Sequence, residues 1–166
     1  MRPPFDPPTT ADIAEVSRQL GRPARDVVGI AARCACGRPT VVSTRPRLGD
    51  GTPFPTFYYL SHPAATAAVS TLEAEGRMPE FAAHLVGDTA ATYRAAHESY
   101  LADRGQFGTV PEIDGISAGG MPDRVKCLHA LVAHTLAAGP GVNPIGDLAL
   151  AETAWSPEVC ACAPDA

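Results

Sequence analysis

Behind Thr9 and Thr10, apolar residues fall at Ile13, Val16 and Leu20, a helical spacing that Gly21 and Pro23 bring to a stop. From Val27 the pattern changes. "DVVGIAARC" and "TVVSTRPRL" are β-branched runs separated by "CACGRP", and "TFYYL" is an aromatic run after the turn residues "GDGTPFP". The connections are too short for helical crossovers, so these three strands pair antiparallel. Helical patterns follow. "SHPAATAAVSTLEAEGR" has Pro63 at its first helical position and stops at Gly76. A short helix falls near "PEFAAHL", and Asp88 caps "TAATYRAAHESYLADRG". "PDRVKCLHALVAHTLAAG" reads as a helix over 122–138 with Gly139 as its stop, and Asn143 caps "NPIGDLALAETAW". Strands first and helices after predict an α+β fold, a single domain in which a small three-stranded antiparallel sheet is packed by about five helices. Between the helices, "QFGTVPEIDGISAGG" is a loop of about 15 residues, a length that in compact domains is often functional or mobile.

Composition sets the outer bounds. The 166 residues suit one domain over 10–155, with a disordered proline-rich lead over 1–9 and a flexible tail over 156–166. A formal net charge of −5 disfavours nucleic acid as a partner, because phosphate neutralisation needs a basic face. No apolar run reaches about 18 residues, so no membrane span is expected. "MRPPFDPPTT" lacks the apolar core of a signal peptide, which points to the cytoplasm. In that compartment the cysteines at 34, 36, 127, 160 and 162 stay out of structural disulfides and are free, metal-bound or reactive.

The densest chemistry lies in "SAGGMPDRVKCLHALVAH", residues 117–134. Gly119 and Gly120 deliver the chain to a helix start, where backbone N–H groups and a partial positive charge favour an anion, and Arg124 and Lys126 add two cations. The plainer alternative is a flexible loop entering a capped helix, with both cations solvated. No P-loop pattern is present. At about 100° per residue, with Cys127 at zero, Leu128, Leu131, Val132 and Thr135 fall between about 40° and 140° and form the core stripe. His134 returns to the Cys127 flank roughly 10 Å along the axis, too far to share a metal with it. His129 falls near about 200°, on the opposite flank, so each polar residue would need a partner from elsewhere. On that reading Cys127 lies beyond the first helical turn, and activation of its thiol must come from Arg124, Lys126 or a histidine. The alternative is a small buried thiol beside the core stripe.

Other candidates are scattered. His62 stands between a strand and the helix that Pro63 begins, a common place for functional side chains and also for a cap. Glu98 could orient a histidine or cation across the domain. Asn143 begins a second capped helix that could face the same cleft. "CAC" occurs at 34–36 and again at 160–162, but zinc sites usually use wider CxxC pairs, and the second pair lies in the tail. Free thiols are the favoured reading there, and no metal ligand is assigned.

"GTPFPTFYYLSHP", "AHESYL", "SAGGMPDRVKCLHALVAH" and "GVNPIGD" resemble the actinobacterial family known as domain of unknown function 501, over about residues 12–155. The resemblance supplies no catalytic residue or cofactor. It implies gene neighbourhoods of septum formation and exopolyphosphatase, an associational pointer to cell division, the envelope or phosphate metabolism.

Three functions follow as expectations. The first is binding of, or catalysis on, an anionic or phosphate-containing small molecule. Its cleft comprises the 105–120 loop, the start of the 122–138 helix and the 60–63 junction. Gly119, Gly120, Arg124, Lys126, Glu98 and Asn143 are the ligand-binding candidates, and His62, Cys127 and His129 the catalytic ones, since histidine titrates near neutral pH. The second is a non-enzymatic adaptor for a protein partner, linked to division or the envelope. The third is zinc binding through Cys34, Cys36 and a histidine such as His62. The sequence leaves open whether the chain is an enzyme and which cofactor it takes.

Overall fold

A computed structural model describes residues 3 and 5–162. Helix α1 (Thr10–Leu20) opens with a capping box between Thr9 and Asp12 and closes on Gly21 in the left-handed conformation, φ 70°. Three strands follow, β1 (Val27–Arg33), β2 (Pro39–Thr44) and β3 (Tyr58–Leu60). They form one antiparallel sheet in the order β1-β2-β3, with Ile30 opposite Val42 and Val42 opposite Tyr59. The remaining helices are α2 (Pro63–Ala74), the short α3 (Met78–Ala82), α4 (Gly87–Gly105), α5 (Leu128–Ala138) and α6 (Pro144–Glu152). The fold is the expected small α+β domain.

The sheet separates two apolar clusters. On one side Val16 of α1 packs with Ile30 and Val42. On the other lies the main core, centred on α5, where Leu128, Leu131 and Val132 meet Tyr58, Tyr100, Val69 and Ile145. α5 is buried on nearly all sides because the sheet, α2 and α6 surround it, which explains why its sequence is apolar almost throughout. Two polar residues are built into this core. The Tyr100 hydroxyl accepts both the Phe57 and Tyr58 N–H groups, at 2.6 and 3.1 Å. His134 stacks on Tyr58, with its Nδ1 3.2 Å from Asn143 Nδ2.

The 105–120 segment is not structureless. It contains a 3-10 turn at Pro111–Ile113, and the buried Arg104 guanidinium donates to the carbonyls of Pro55, Ile113 and Ile116. Buried backbone carbonyls need donors, and one arginine at the end of α4 supplies three. The lead is not wholly detached either. Phe5 packs against Phe57, Tyr58 and Phe107, and the Ile30 N–H donates to Asp6 O at 3.1 Å. Gly29 makes room for it, since a Cβ there would meet the Phe5 ring. At the other end Trp155 is buried and the Ala35 N–H donates to Pro157 O at 3.2 Å, so residues 155–157 lie against the β1–β2 turn. The lead and tail expected over 1–9 and 156–166 also include residues 1, 2, 4 and 163–166, which lie outside the described residues. Among those described, no helix is long and apolar enough to cross a membrane.

Candidate functional site

A change at the start of α5 creates the site. The helix begins at Leu128, not at 122, and Cys127 is its N-cap, with extended backbone at φ −146° and ψ 107°. The preceding residues form a closed loop. Gly119 O accepts the N–H groups of Lys126 and Cys127 at 2.7 and 3.3 Å, and Gly120 O accepts the Arg124 N–H at 2.9 Å. Tyr93 Oη donates to Arg124 O at 2.7 Å, taking a carbonyl that a helix would have used. Gly119 and Gly120 adopt φ of 69° and 98°, and a Cβ at 120 would fall 2.6 Å from Arg124 O. These glycines therefore close the loop on itself. The amides of Arg124, Lys126 and Cys127 are spent on these glycine carbonyls.

With Cys127 outside the helix, the angular separation from His129 expected for helical residues disappears. Cys127 Sγ, a His129 ring nitrogen and a Glu73 carboxylate oxygen lie within 4.8 Å of one another. Glu73, on α2, was not singled out from the sequence. Its Oε2 is 3.1 Å from His129 Nδ1, and its Oε1 accepts the Leu128 N–H at 2.9 Å. The His129 Nε2 faces Thr66 O at 3.3 Å and Ser70 Oγ at 3.0 Å. A carboxylate at one ring nitrogen and a carbonyl at the other suit the doubly protonated ring. Accordingly, hydrogen bonding with Cys127 outweighs partial burial and, with the Glu73 charge, raises the His129 pKa. Burial pushes the Cys127 thiol up, but His129 and the Ala130 amide outweigh it and leave the thiol below its ordinary value. The Glu73 carboxylate already occupies the start of α5, the place where an anion was expected. All three side chains are engaged with one another and with backbone.

Cys127 lines a cavity of about 460 Å³ together with Gly119, Gly120, Arg124, Lys126 and Thr56. Arg124 and Lys126 are exposed at this cavity, beside Asp123. A second cavity of about 460 Å³, between α1 and β2, is lined by Val16, Leu20, Val42 and Tyr59 and contains none of the predicted residues.

The other candidates go elsewhere. Asn143 is fully buried, and its Oδ1 accepts the Gly146 N–H at 3.0 Å as the cap of α6. Glu98 is exposed on α4 and belongs to neither side-chain cluster. Its neighbour His97 is buried, with Nδ1 2.7 Å from Ser117 Oγ. His62 caps α2, with Nδ1 accepting the Ala65 N–H at 3.4 Å, and its Nε2 lies 3.1 Å from Cys162 Sγ. Burial holds its pKa below the ordinary value. His62 thus joins a second cluster, in which the sulfurs of Cys34, Cys36, Cys160 and Cys162 lie within 4.8 Å of one another. Four thiolates suit zinc, but the CxC spacing and the tail position of the second pair spoke against joining the two pairs. The contacts of Trp155 with His62 and of Pro157 with Ala35 bring the tail back to the turn.

These features define a small α+β domain with a Cys-His-Glu cluster at one cavity and a thiol cluster at its C-terminal end. The chain belongs to the family described as protein of unknown function (DUF501), whose sequence profile matches residues 30–151. Cys34, Cys36, Glu73, Cys127 and His129 fall inside the match, and Cys160 and Cys162 fall outside it. Searches of curated proteins and of solved structures give no match.

Proposed function

We propose that the chain is a thiol-dependent enzyme or binding protein for small molecules that carry an anionic group. The observation behind this reading is the Cys127–His129–Glu73 cluster, placed where Cys127 meets the cavity lined by Arg124 and Lys126. A thiolate is the nucleophilic form of cysteine, and an adjacent imidazolium stabilises it. In the reaction this supports, the Cys127 sulfur attacks an electrophilic carbon of the bound molecule and forms an S–C bond. The departing group takes its proton from His129. Glu73 keeps the imidazole oriented and charged, and Arg124 and Lys126 attract the anionic part of the substrate. Since both cations are exposed, their share is steering and selection, sensitive to ionic strength.

Alkylation kinetics test it. With per-cysteine readout by mass spectrometry, Cys127 reacts with iodoacetamide at lower pH than an ordinary thiol. It also favours the anionic iodoacetate, relative to iodoacetamide, more than free cysteine does. The Arg124→Ala/Lys126→Ala chain loses the preference and keeps the low-pH reactivity. An unreactive Cys127 with no charge preference defeats the reading. In that case the exposed cations are better explained as a surface for a protein partner.

A further inference from the structure

We propose that Cys34, Cys36, Cys160 and Cys162 are the four ligands of a zinc ion, that His62 donates a hydrogen bond to the Cys162 sulfur, and that the ion fastens the C-terminal segment to the β1–β2 turn. This site is separate from the Cys127 cluster and does not depend on the function proposed for it.

The sulfur spacing suits a tetrahedral thiolate site. Four sulfurs at about 2.3 Å from zinc stand roughly 3.8 Å apart. Cys162 Sγ lies 3.5 Å from Cys36 Sγ and 3.8 Å from Cys34 Sγ, and all four sulfurs lie within 4.8 Å of one another. They come from opposite ends of the chain, so local chain geometry does not force the cluster. Thiols brought this close resist joint ionisation. A divalent cation reverses that, because each Zn–S bond replaces an S–H bond and the protons leave to solvent.

The surroundings supply what thiolate ligands need. Gly37, at φ 88°, makes the tight turn that carries Cys36, and the Gly37 N–H donates to Cys34 O at 2.8 Å. The Ala65 N–H directed at His62 Nδ1 leaves the neutral imidazole its proton on Nε2, the atom facing Cys162 Sγ at 3.1 Å. A ring N–H aimed at a ligating sulfur is a second-layer contact of the kind that tunes metal thiolates. Zinc also explains why an exposed tail with few apolar residues lies on the domain at all. Four ligands bonded to one ion replace the core contacts this segment lacks.

The test uses the full chain purified under reducing conditions without chelator. Elemental analysis is expected to find a single zinc ion per chain, and cobalt substitution to produce a sulfur-to-metal charge-transfer band. Cys160→Ser/Cys162→Ser alters only the tail, so its fold does not depend on the outcome. It should lose the metal and the cobalt band, as should Cys34→Ser/Cys36→Ser, whereas Cys127→Ser retains both. Chelation should lower the melting temperature and open residues 156–162 to protease. Any of three results overturns the proposal: no stoichiometric zinc; zinc that survives Cys160→Ser/Cys162→Ser but is lost in Cys127→Ser; or an intact mass showing a disulfide among the four cysteines.

Discussion

His129 Nδ1 lies 3.1 Å from Glu73 Oε2, while the other oxygen of the same carboxylate accepts the Leu128 N–H at 2.9 Å. One side chain on α2 thereby fixes the start of α5 and favours the charged form of its first histidine. Glu73→Gln retains an oxygen for the cap but removes the charge. The His129 pKa is then expected to fall, as followed by NMR of the ring protons. The stability linked to a raised histidine pKa is fully present below the ordinary value of 6.5 and is lost as pH rises through the folded value. Glu73→Gln should therefore cost about 1 kcal/mol at pH 5.5 and less at pH 8, measured by urea unfolding.

The same pairing predicts the behaviour of the thiol. His129 is the main influence lowering the Cys127 pKa against its burial. In His129→Gln, Cys127 alkylation should need a higher pH, while the urea-unfolding midpoint at pH 8 stays close to wild type. A fall in that midpoint would show a general opening of the fold instead.

Tyr100 is a structural counterpart. Its hydroxyl accepts the Phe57 and Tyr58 N–H groups, which satisfies backbone at the entry to β3 in the middle of the core. Tyr100→Phe removes the acceptor shared by two buried N–H groups, and an unsatisfied buried group costs about 1–3 kcal/mol. A loss of about 2–4 kcal/mol is expected in denaturant unfolding, larger than the removal of one oxygen atom suggests.

Acid sensitivity should trace in part to Asp12. Arg33 reaches it with both terminal nitrogens, at 2.8 and 3.1 Å, and together with the Thr9 contacts holds its carboxyl well below the usual carboxylate range. A depressed carboxylate pKa contributes stability above the ordinary value of 3.8, and that contribution is lost as pH falls below it. Asp12→Asn should cost about 1–3 kcal/mol at pH 7. Its stability should also fall less steeply than wild type between pH 4 and pH 2, as followed by circular dichroism.

The sequence by itself determined the class of fold and most of its elements, because those depend on nearest neighbours along the chain. Thr9, Gly21, Pro63 and Asn143 act through their own local backbone, and the alternation of apolar positions marks which face of each strand or helix is buried. It also marked residues 117–134 as unusual. Only tertiary structure decided what that stretch does. The start of α5 depends on hydrogen bonds from Gly119 and Gly120 carbonyls and on a Tyr93 hydroxyl 31 residues away. These shift Cys127 off the helix and toward His129. Glu73 carries no mark in its own neighbourhood, and it acquires a role only because α2 packs on α5. His62 and Asn143 kept the capping positions their neighbours predicted, yet the first was carried to the thiol cluster and the second into the core. The two CxC pairs are more than a hundred residues apart, |i−j| 126 between Cys36 and Cys162, and no periodicity spans that distance. Local patterns report what a residue does to its own backbone. Which side chains meet is set by how the buried faces pack, a many-body outcome that no single stretch encodes.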